Sequence, residues 1–194
     1  VVALADSNGP LGVLAVADTL RPQARDTVAE LRRLGIEHVA MLTGDNERTA
    51  AAIARQAGID DIAAGRTPEG KAGHIRQLVE RYDHVAMVGD GINDAPPLAA
   101  ATVGIAMGTA GSDIALETAD VALMADDLTK LTTAIRTGRR TRRVVAQNLG
   151  LSLTILAVLV PAALAGTIGL AAAILAHELS ELAVILNGTR MARR

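Results

Sequence analysis

Two carboxylates and an amide stand close together just after an apolar run, in residues 86–97 (Ala-Met-Val-Gly-Asp-Gly-Ile-Asn-Asp-Ala-Pro-Pro). The apolar run predicts a buried strand, and in open α/β sheets ligands bind at the carboxyl ends of the strands. Glycines on both sides of Asp90 permit a sharp turn that presents Asp90 together with Asp94. Their oxygen atoms suit a hard cation that contacts a phosphate, as Mg²⁺ does. No alternating strand follows the loop, which disfavours a simple hairpin turn, so the segment predicts a magnesium and phosphate site.

A second predicted strand is also followed by residues that could bind a phosphate. Residues 38–46 form an apolar run that ends in a hydroxyl, a glycine and an acid, and an amphipathic stretch follows at residues 47–57. Thr43 and the backbone amides around Gly44 can donate hydrogen bonds to a phosphate, and the positive end of the following helix adds to that attraction. We therefore expect the loop of Thr43, Gly44 and Asp45 to belong to the phosphate site.

A lysine that lies between these loops in the sequence supplies a cation. In Thr67-Pro-Glu-Gly-Lys71, Thr67 can cap a helix and Pro68 suits its first position, which puts Lys71 one turn into that helix. Taken alone, Lys71 would be a solvated helix lysine. Its place between the two acidic loops favours instead a role in neutralising a phosphate, because a pocket lined by acids needs a cation to hold an anionic group.

Alternating strand and helix patterns predict the fold that holds these loops. Strands are expected near residues 1–5, 12–17, 38–42, 84–88, 103–106 and 121–124, and helices near residues 23–34, 47–57, 69–81 and 112–118. Such alternation is typical of an α/β protein with a parallel sheet and helices on both faces. The first 17 residues are predicted to form a hairpin, Asn46 to cap the second helix and Gly58 to end it. We assign residues 1–127 to this domain.

The composition excludes some classes of site. The chain of 194 residues contains no cysteine, so it has neither a disulfide framework nor a thiolate metal site. Its formal net charge of −2 predicts little about partners, because the basic residues are clustered. Half of the residues are hydrophobic although only 1% are aromatic, and the apolar residues are concentrated towards one end.

Residues 144–176 contain no charged side chain, which predicts helices that cross a membrane rather than a buried soluble hairpin. Such a helix needs about 20 residues, and residues 144–165 and 168–189 supply two spans around a Gly166–Gly169 turn. Arginines cluster in the predicted connecting helix, residues 128–143, and again after the second span. At the edges of apolar runs they mark the cytoplasmic side rather than a nucleic-acid site. We therefore expect the plasma membrane as location, with both ends of the hairpin cytoplasmic and no nucleic acid bound.

The second span carries ionisable residues, in the segment His177-Glu-Leu-Ser-Glu181. Each such group at bilayer depth costs about 2.5 to 3.5 kcal/mol on insertion scales, so it usually faces a cavity or a ligand. His177 and Glu181 share a helix face, with Ser180 beside them and Glu178 about 100° round the helix. An imidazole nitrogen and carboxylate oxygens suit divalent Co, Zn, Fe or Ni rather than Cu(I). We predict that His177, Glu178 and Glu181 bind a transition-metal ion.

Together these segments resemble the haloacid-dehalogenase superfamily and, more closely, the P-type ATPases. The matching segments are residues 18–22 (Asp-Thr-Leu-Arg-Pro), 43–46, 67–71, 89–96 and 103–108 (Val-Gly-Ile-Ala-Met-Gly). The resemblance implies a haloacid-dehalogenase-like (Rossmann-like) parallel sheet followed by a transmembrane helical hairpin. It also implies Mg²⁺ and ATP as cofactors, and an aspartyl-phosphate intermediate whose formation and hydrolysis drive an ion across a membrane.

The resemblance further implies a role for each matching side chain. Thr43 would hold the phosphoryl oxygens and Lys71 would neutralise their charge, while Asp90 and Asp94 would bind Mg²⁺. Asp45 would support the site near the nucleotide. The full catalytic set implied in this way is Thr43, Gly44, Asp45, Lys71, Asn93 and Asp94. The last two would complete the loop and orient the phosphoryl group.

The second span resembles the last membrane helix of heavy-metal P-type ATPases. Asn187-Gly-Thr-Arg190 matches their Asn-x-x-Arg ending, and two membrane helices after the phosphorylation domain fit that architecture. Residues 177–181 are similar to the cobalt-type pattern His-Glu-Gly-Gly-Thr, with departures at Leu179 and Glu181. The resemblance implies export of a divalent metal such as cobalt, zinc, nickel or iron, bound by the His177 segment.

No Asp-Lys-Thr-Gly-Thr string occurs in the sequence, so the aspartate that P-type ATPases phosphorylate is absent from these residues. We therefore expect the chain to be the C-terminal portion of a longer pump. Its partners would be the actuator and nucleotide-binding domains and the other membrane helices of that pump, ATP and the lipid bilayer. The alternative is a membrane-anchored, catalytically silent regulatory module that binds phosphate and Mg²⁺. A free-standing phosphatase is disfavoured because Asp6 and Asp18 lack the setting of a nucleophile.

Overall fold

The structure, a computed structural model, describes residues 2–7, 9–14, 19–89, 92–108, 117–125 and 127–191. Strands β1 to β7 are Val2–Asp6, Gly9–Leu14, Ala40–Leu42, Asp61–Ala63, Ala86–Gly89, Val103–Met107 and Val121–Leu123. Helices α1 to α6 are Ala24–Arg33, Glu47–Ala57, Pro68–Tyr82, Ala95–Ala100, Thr129–Leu164 and Leu170–Thr189, and Ile92–Asp94 forms a 3₁₀ turn. The chain divides into two compact units, Val1–Thr132 and Thr133–Arg194.

The first unit is built on parallel strand pairs. β3 pairs with β4, and β5, β6 and β7 form a sheet in that order, all in parallel. β1 and β2 pair antiparallel, with Asp6 opposite Gly9 and Val2 opposite Leu14, which confirms the predicted hairpin over the described residues. The parallel pairs confirm the predicted α/β class. They also place the loop after β3 and the loop after β5 at the carboxyl ends of their strands, where ligands bind in such folds.

A small apolar cluster fixes the elements around the second of these loops. Ile75 of α3, Met87 of β5 and Leu98 of α4 are almost fully buried against one another. Leu42, the last residue of β3, packs against the same cluster. Burial of each large apolar side chain contributes about 1.5 to 3 kcal/mol. The cluster therefore holds α3, α4 and the ends of β3 and β5 together.

The ends of the helices in this unit follow the predicted signals. Asn46 Oδ1 accepts a hydrogen bond from Thr49 N at 3.0 Å at the start of α2. Gly58 ends α2 with a left-handed φ of 74°, which glycine adopts without steric cost. Thr67 Oγ1 accepts from Gly70 N at 3.1 Å at the start of α3, with Pro68 in the first position. The predicted caps are thus confirmed, and that of α3 places Lys71 in its first turn.

Two elements were not predicted from the sequence. β4 has only three residues and depends on its pairing with β3. α4 begins at Ala95 and continues with Pro96 and Pro97, which are tolerated in the first helical turn because the missing N–H groups have no acceptor there. Residues 15–17 of the predicted second strand and 112–116 of a predicted helix lie outside the described residues.

The second unit contains most of α5 and all of α6. Both helices are long and apolar enough to cross a membrane, and their apolar surfaces are exposed. Between them Gly166 adopts a left-handed φ of 68°. Gly166 N donates to Ala163 O at 3.1 Å, and Thr167 N donates to Ala162 O at 3.0 Å, so the carbonyls at the end of α5 are bonded. The predicted segments 128–143 and 144–165 lie almost entirely within the single helix α5, and the boundary between them stays a prediction.

Amide side chains join α5 and α6 near the arginine-bearing end of the hairpin. Asn187 Nδ2 donates to Asn148 Oδ1 at 2.8 Å, and Asn148 Nδ2 donates to Val184 O at 3.4 Å. Arg190 Nη1 donates to Asn187 Oδ1 at 3.1 Å, and Arg140 Nη2 donates to Arg190 O at 2.7 Å. Polar contacts between apolar helices stabilise their association, so these bonds tie the two helices together at this level.

Candidate functional site

Lys71 and Asp94, both predicted site residues, form an ion pair in the first unit. Lys71 Nζ donates to Asp94 Oδ1 at 2.8 Å, and the two side chains are only 15% and 14% exposed. Lys71 lies in the first turn of α3, and Asp94 ends the 3₁₀ turn before α4. Because α3 and α4 are held by the shared apolar cluster, the pair is fixed in position by packing. A charge-assisted bond with little exposure to water is strong, and it places a cation beside an acid at a strand end.

Gly89, at the end of β5, allows Asp94 to approach the backbone closely. A Cβ atom at this position would lie 2.7 Å from Asp94 Cβ and 3.0 Å from Asp94 Oδ2. Real Cβ atoms do not make contacts this short, so any other residue at position 89 would displace the acid. From the sequence, Gly89 was interpreted as permitting a sharp turn. The structure shows that it also leaves room for the Asp94 side chain. Asp90, the predicted magnesium ligand, lies outside the described residues.

The loop after β3 is held by its own side chains. Thr43 Oγ1 donates to Asp45 Oδ2 at 3.0 Å and accepts from Asp45 N at 3.1 Å. Arg66 N donates to Thr43 O at 3.0 Å, which joins this loop to the loop after β4. The Gly44 N–H makes no hydrogen bond with any described residue. This N–H, just before the amino end of α2, is therefore available as a donor to an anion.

The structure brings Lys71 and Asp94 into direct contact, but no bond between described residues joins that pair to Thr43. The two loops are linked through Leu42, which packs on the cluster that contains Met87 of β5. Asn93 is exposed in the 3₁₀ turn. The acids and amides at these strand ends offer oxygen donors, which suit a hard cation such as Mg²⁺. The catalytic roles of these side chains stay predictions.

The ionisable residues of α6 form a pair on one face. His177 Nε2 lies 3.5 Å from Glu181 Oε1, with the side chains 50% and 60% exposed. Ser180 Oγ donates to His177 O at 2.6 Å. Glu178, predicted as a third metal ligand, does not line the pocket beside this pair, and its role stays a prediction.

A pocket of about 350 Å³ lies between α5 and α6. Its lining residues are Ser152 and Leu156 from α5, and His177, Ser180, Glu181, Val184 and Ile185 from α6. Across the described segments, no group of three or more His, Cys, Asp or Glu side chains gathers to hold a metal ion. The pocket thus offers an imidazole, a carboxylate and two hydroxyls. Ser152 was not predicted as a site residue, because a lone serine in an apolar helix gives no local sign of what it faces.

Comparison with known proteins agrees with this arrangement. A family model described as haloacid dehalogenase-like hydrolase matches residues 2–102. The probable cation-transporting ATPase G of Mycobacterium tuberculosis (strain ATCC 25618 / H37Rv) is 56% identical over 183 residues, which are 94% of this chain and 24% of that protein. The cadmium-transporting ATPase of Staphylococcus aureus is 45% identical over 183 residues, 94% of this chain and 25% of that protein.

The resemblance to solved structures extends over nearly the whole chain. The crystal structure of a zinc-transporting PIB-type ATPase in the E2.Pi state matches with a TM-score of 0.87 and 41% identity, over 96% of this chain and 30% of that one. The chain therefore spans about a quarter of the length of the curated relatives it matches. These findings confirm the predicted resemblance to heavy-metal P-type ATPases and the predicted fold. With the two long apolar helices, they support a membrane protein.

Proposed function

We propose that this chain, which belongs to the haloacid dehalogenase-like hydrolase family, is part of an ATP-driven pump that exports a divalent transition-metal ion. The observation that carries the proposal is the His177–Glu181 pair, which faces a pocket between two apolar helices. Ionisable groups in such helices are costly and usually serve a ligand or an ion. The same chain carries the Lys71–Asp94 pair, which suits the binding of a phosphoryl group, and transfer of that group from ATP would supply the energy for transport.

In this proposal the first unit handles a phosphoryl group carried by an aspartate elsewhere in the pump. Lys71 and the Gly44 N–H would bind the phosphoryl oxygens, and the Thr43 hydroxyl would become a further donor by turning away from Asp45 Oδ2, to which it donates in the structure. Asp94, with Asp90, would hold Mg²⁺, which neutralises charge on the phosphate oxygens. Phosphoryl transfer depends mainly on positioning and charge neutralisation, and the packing of α3 and α4 against the strands supports both.

The cargo that the pocket supports best is a divalent ion of intermediate softness. Imidazole and carboxylate donors suit zinc and cobalt, and nickel and iron share this preference, whereas Cu(I) prefers sulfur. Relatives named for cadmium and zinc transport favour zinc among these ions. Arginines near both ends of the hairpin favour a plasma-membrane protein with those ends and the first unit in the cytoplasm.

The test is metal-stimulated ATP hydrolysis by the intact pump, screened across Co, Zn, Ni, Fe, Mn, Cd and Cu. We expect His177→Ala and Glu181→Gln to remove the stimulation, because the first deletes the imidazole donor and the second replaces a charged carboxylate with a neutral amide, a weaker ligand for a divalent ion. Glu178→Gln is the matched control on the same helix and shows whether the carboxylate outside the pocket contributes. Unchanged stimulation in His177→Ala would refute the transport site, and the absence of any metal-stimulated hydrolysis in the wild type would favour a silent regulatory module.

A further inference from the structure

On the α5 side, one polar side chain, Ser152, lines the pocket. The other α5 residue there, Leu156, is apolar. Ser152 is half-buried, and its hydroxyl makes no hydrogen bond with any residue in the described part of the chain. Hydroxyls in apolar helices commonly bond to a carbonyl one turn earlier. Thr154 Oγ1 does so with Gly150 O at 2.8 Å. Ser152 therefore lines the pocket with a hydroxyl that has no hydrogen-bond partner among the described residues.

The two donors on α6 approach the pocket from one side only. His177 and Glu181 stand one turn apart on the same face of α6, with 3.5 Å between Nε2 and Oε1. A zinc-like ion takes about four donors in a tetrahedral arrangement, which one helix face does not supply. Ser180 lies on the α6 side too, and its hydroxyl hydrogen is engaged with His177 O. A donor on the opposite wall has to come from α5 or from another helix.

We propose that Ser152 binds the transported ion directly from α5, opposite His177 and Glu181, so that both helices of the hairpin share the site. This inference rests on the proposed function and adds a ligand to it. An alcohol oxygen is a harder donor than a thiolate, so Ser152 shifts the site towards ions that accept nitrogen and oxygen ligands, such as Zn²⁺ and Co²⁺. A cysteine at this position would shift the preference towards Cd²⁺.

The experiment uses Co²⁺ in the intact purified pump, because a thiolate bound to Co²⁺ gives a charge-transfer absorption band in the near ultraviolet. Ser152→Cys is compared with Thr154→Cys, which places a thiol on the same helix but outside the pocket lining. We expect a new band, relative to wild type, in Ser152→Cys only. We also expect Ser152→Ala to raise the Co²⁺ concentration for half-maximal ATPase stimulation about tenfold, while Ser152→Thr, which keeps the hydroxyl, retains the wild-type value.

The outcomes separate this inference from the function on which it rests. If the wild type binds Co²⁺ and is stimulated by it, but Ser152→Cys gives no band and Ser152→Ala keeps the wild-type half-saturation, Ser152 is not a ligand and the pump proposal stands. If the wild type neither binds Co²⁺ nor is stimulated by any divalent metal, both proposals fail. Phosphoenzyme formed from ATP at saturating metal shows that each variant is folded. Where a variant forms no phosphoenzyme, Ser152→Thr is compared with wild type instead. A large rise in the Co²⁺ concentration for half-maximal stimulation of Ser152→Thr would then overturn the inference.

Discussion

Replacing Lys71 with methionine removes the ammonium group that lies 2.8 Å from Asp94 Oδ1 and keeps most of the aliphatic stem. At this distance two unit charges attract by about 6 kcal/mol at an effective dielectric constant of about 20, and by about 1.5 kcal/mol in water. The side chains are 15% and 14% exposed, so the value for water is too low. Both charged groups lose hydration on burial, and this cost offsets much of the attraction of about 6 kcal/mol. We expect a coupling energy between the two residues of about 2 to 3 kcal/mol.

The measurement is a double-mutant cycle on residues 1–132, the first compact unit, with Lys71→Met, Asp94→Asn and both together. Urea unfolding is followed by circular dichroism, because the chain contains no tryptophan. Lys71→Met should destabilise the unit by about 3 kcal/mol, since it leaves a largely buried carboxylate unpaired. The double variant should lose clearly less than the two single losses combined. A coupling energy below about 0.5 kcal/mol would show that the pair behaves as an exposed ion pair and would refute the argument from burial.

Two further predictions concern the backbone near the site and the start of α5. Gly89→Ala should destabilise the first unit by about 1 to 3 kcal/mol. In the pump that still folds, it should also cut phosphoenzyme formation at least tenfold. Gly104→Ala, whose Cβ would lie 2.8 Å from a carbonyl oxygen in α4, is the matched steric control, and an equal loss in both would contradict a specific effect. The Asp127 carboxylate accepts hydrogen bonds from the Thr129 hydroxyl at 2.7 Å and from the Thr129 N–H at 2.9 Å, and these bonds lower the pKa of Asp127. Their contribution to the stability of the folded state is therefore complete above the ordinary Asp pKa. It is lost as the pH falls through the lowered pKa of Asp127. In wild type, the Thr129 amide should lose protection from hydrogen exchange over that acidic range, after correction for intrinsic rates. A similar loss in Asp127→Asn would show that protonation of Asp127 is not the cause.

Local signals in the sequence predicted most of the first unit. Asn46, Gly58 and Thr67 act through bonds or dihedral angles within a few residues, so their effects could be predicted without knowledge of the fold. β4 depends on pairing with β3, and its three residues carry no periodic pattern long enough to recognise. α4 was missed because consecutive prolines are typical of loops, although they also fit a first helical turn.

The candidate site was likewise predicted only in part, because some of its features follow from short sequence patterns and others from contacts between residues distant in the sequence. The chain order of the acidic loops and Lys71 predicted a shared phosphate site, and the contact between Lys71 and Asp94 brings two members of it together. The close approach of Asp94 to Gly89 depends on how the 3₁₀ turn packs on β5, which no short pattern specifies. Ser152 likewise acquires its neighbours only when α5 and α6 pair. The position of Asp94 against Gly89 and the neighbours of Ser152 were therefore out of reach for local reasoning.

The Asn148–Asn187 bond has a mechanical consequence for the hairpin. The turn at Gly166 joins the helices at one end, and the amide pair fastens them at the other, with the pocket residues in between. Sliding of α6 along α5, or a change in the angle between them, would break the hydrogen bonds of Asn148 and Asn187, and an apolar medium offers few replacements. The distance between the two helices is thus held at both ends of the pocket, and the pair is expected to move as one rigid body.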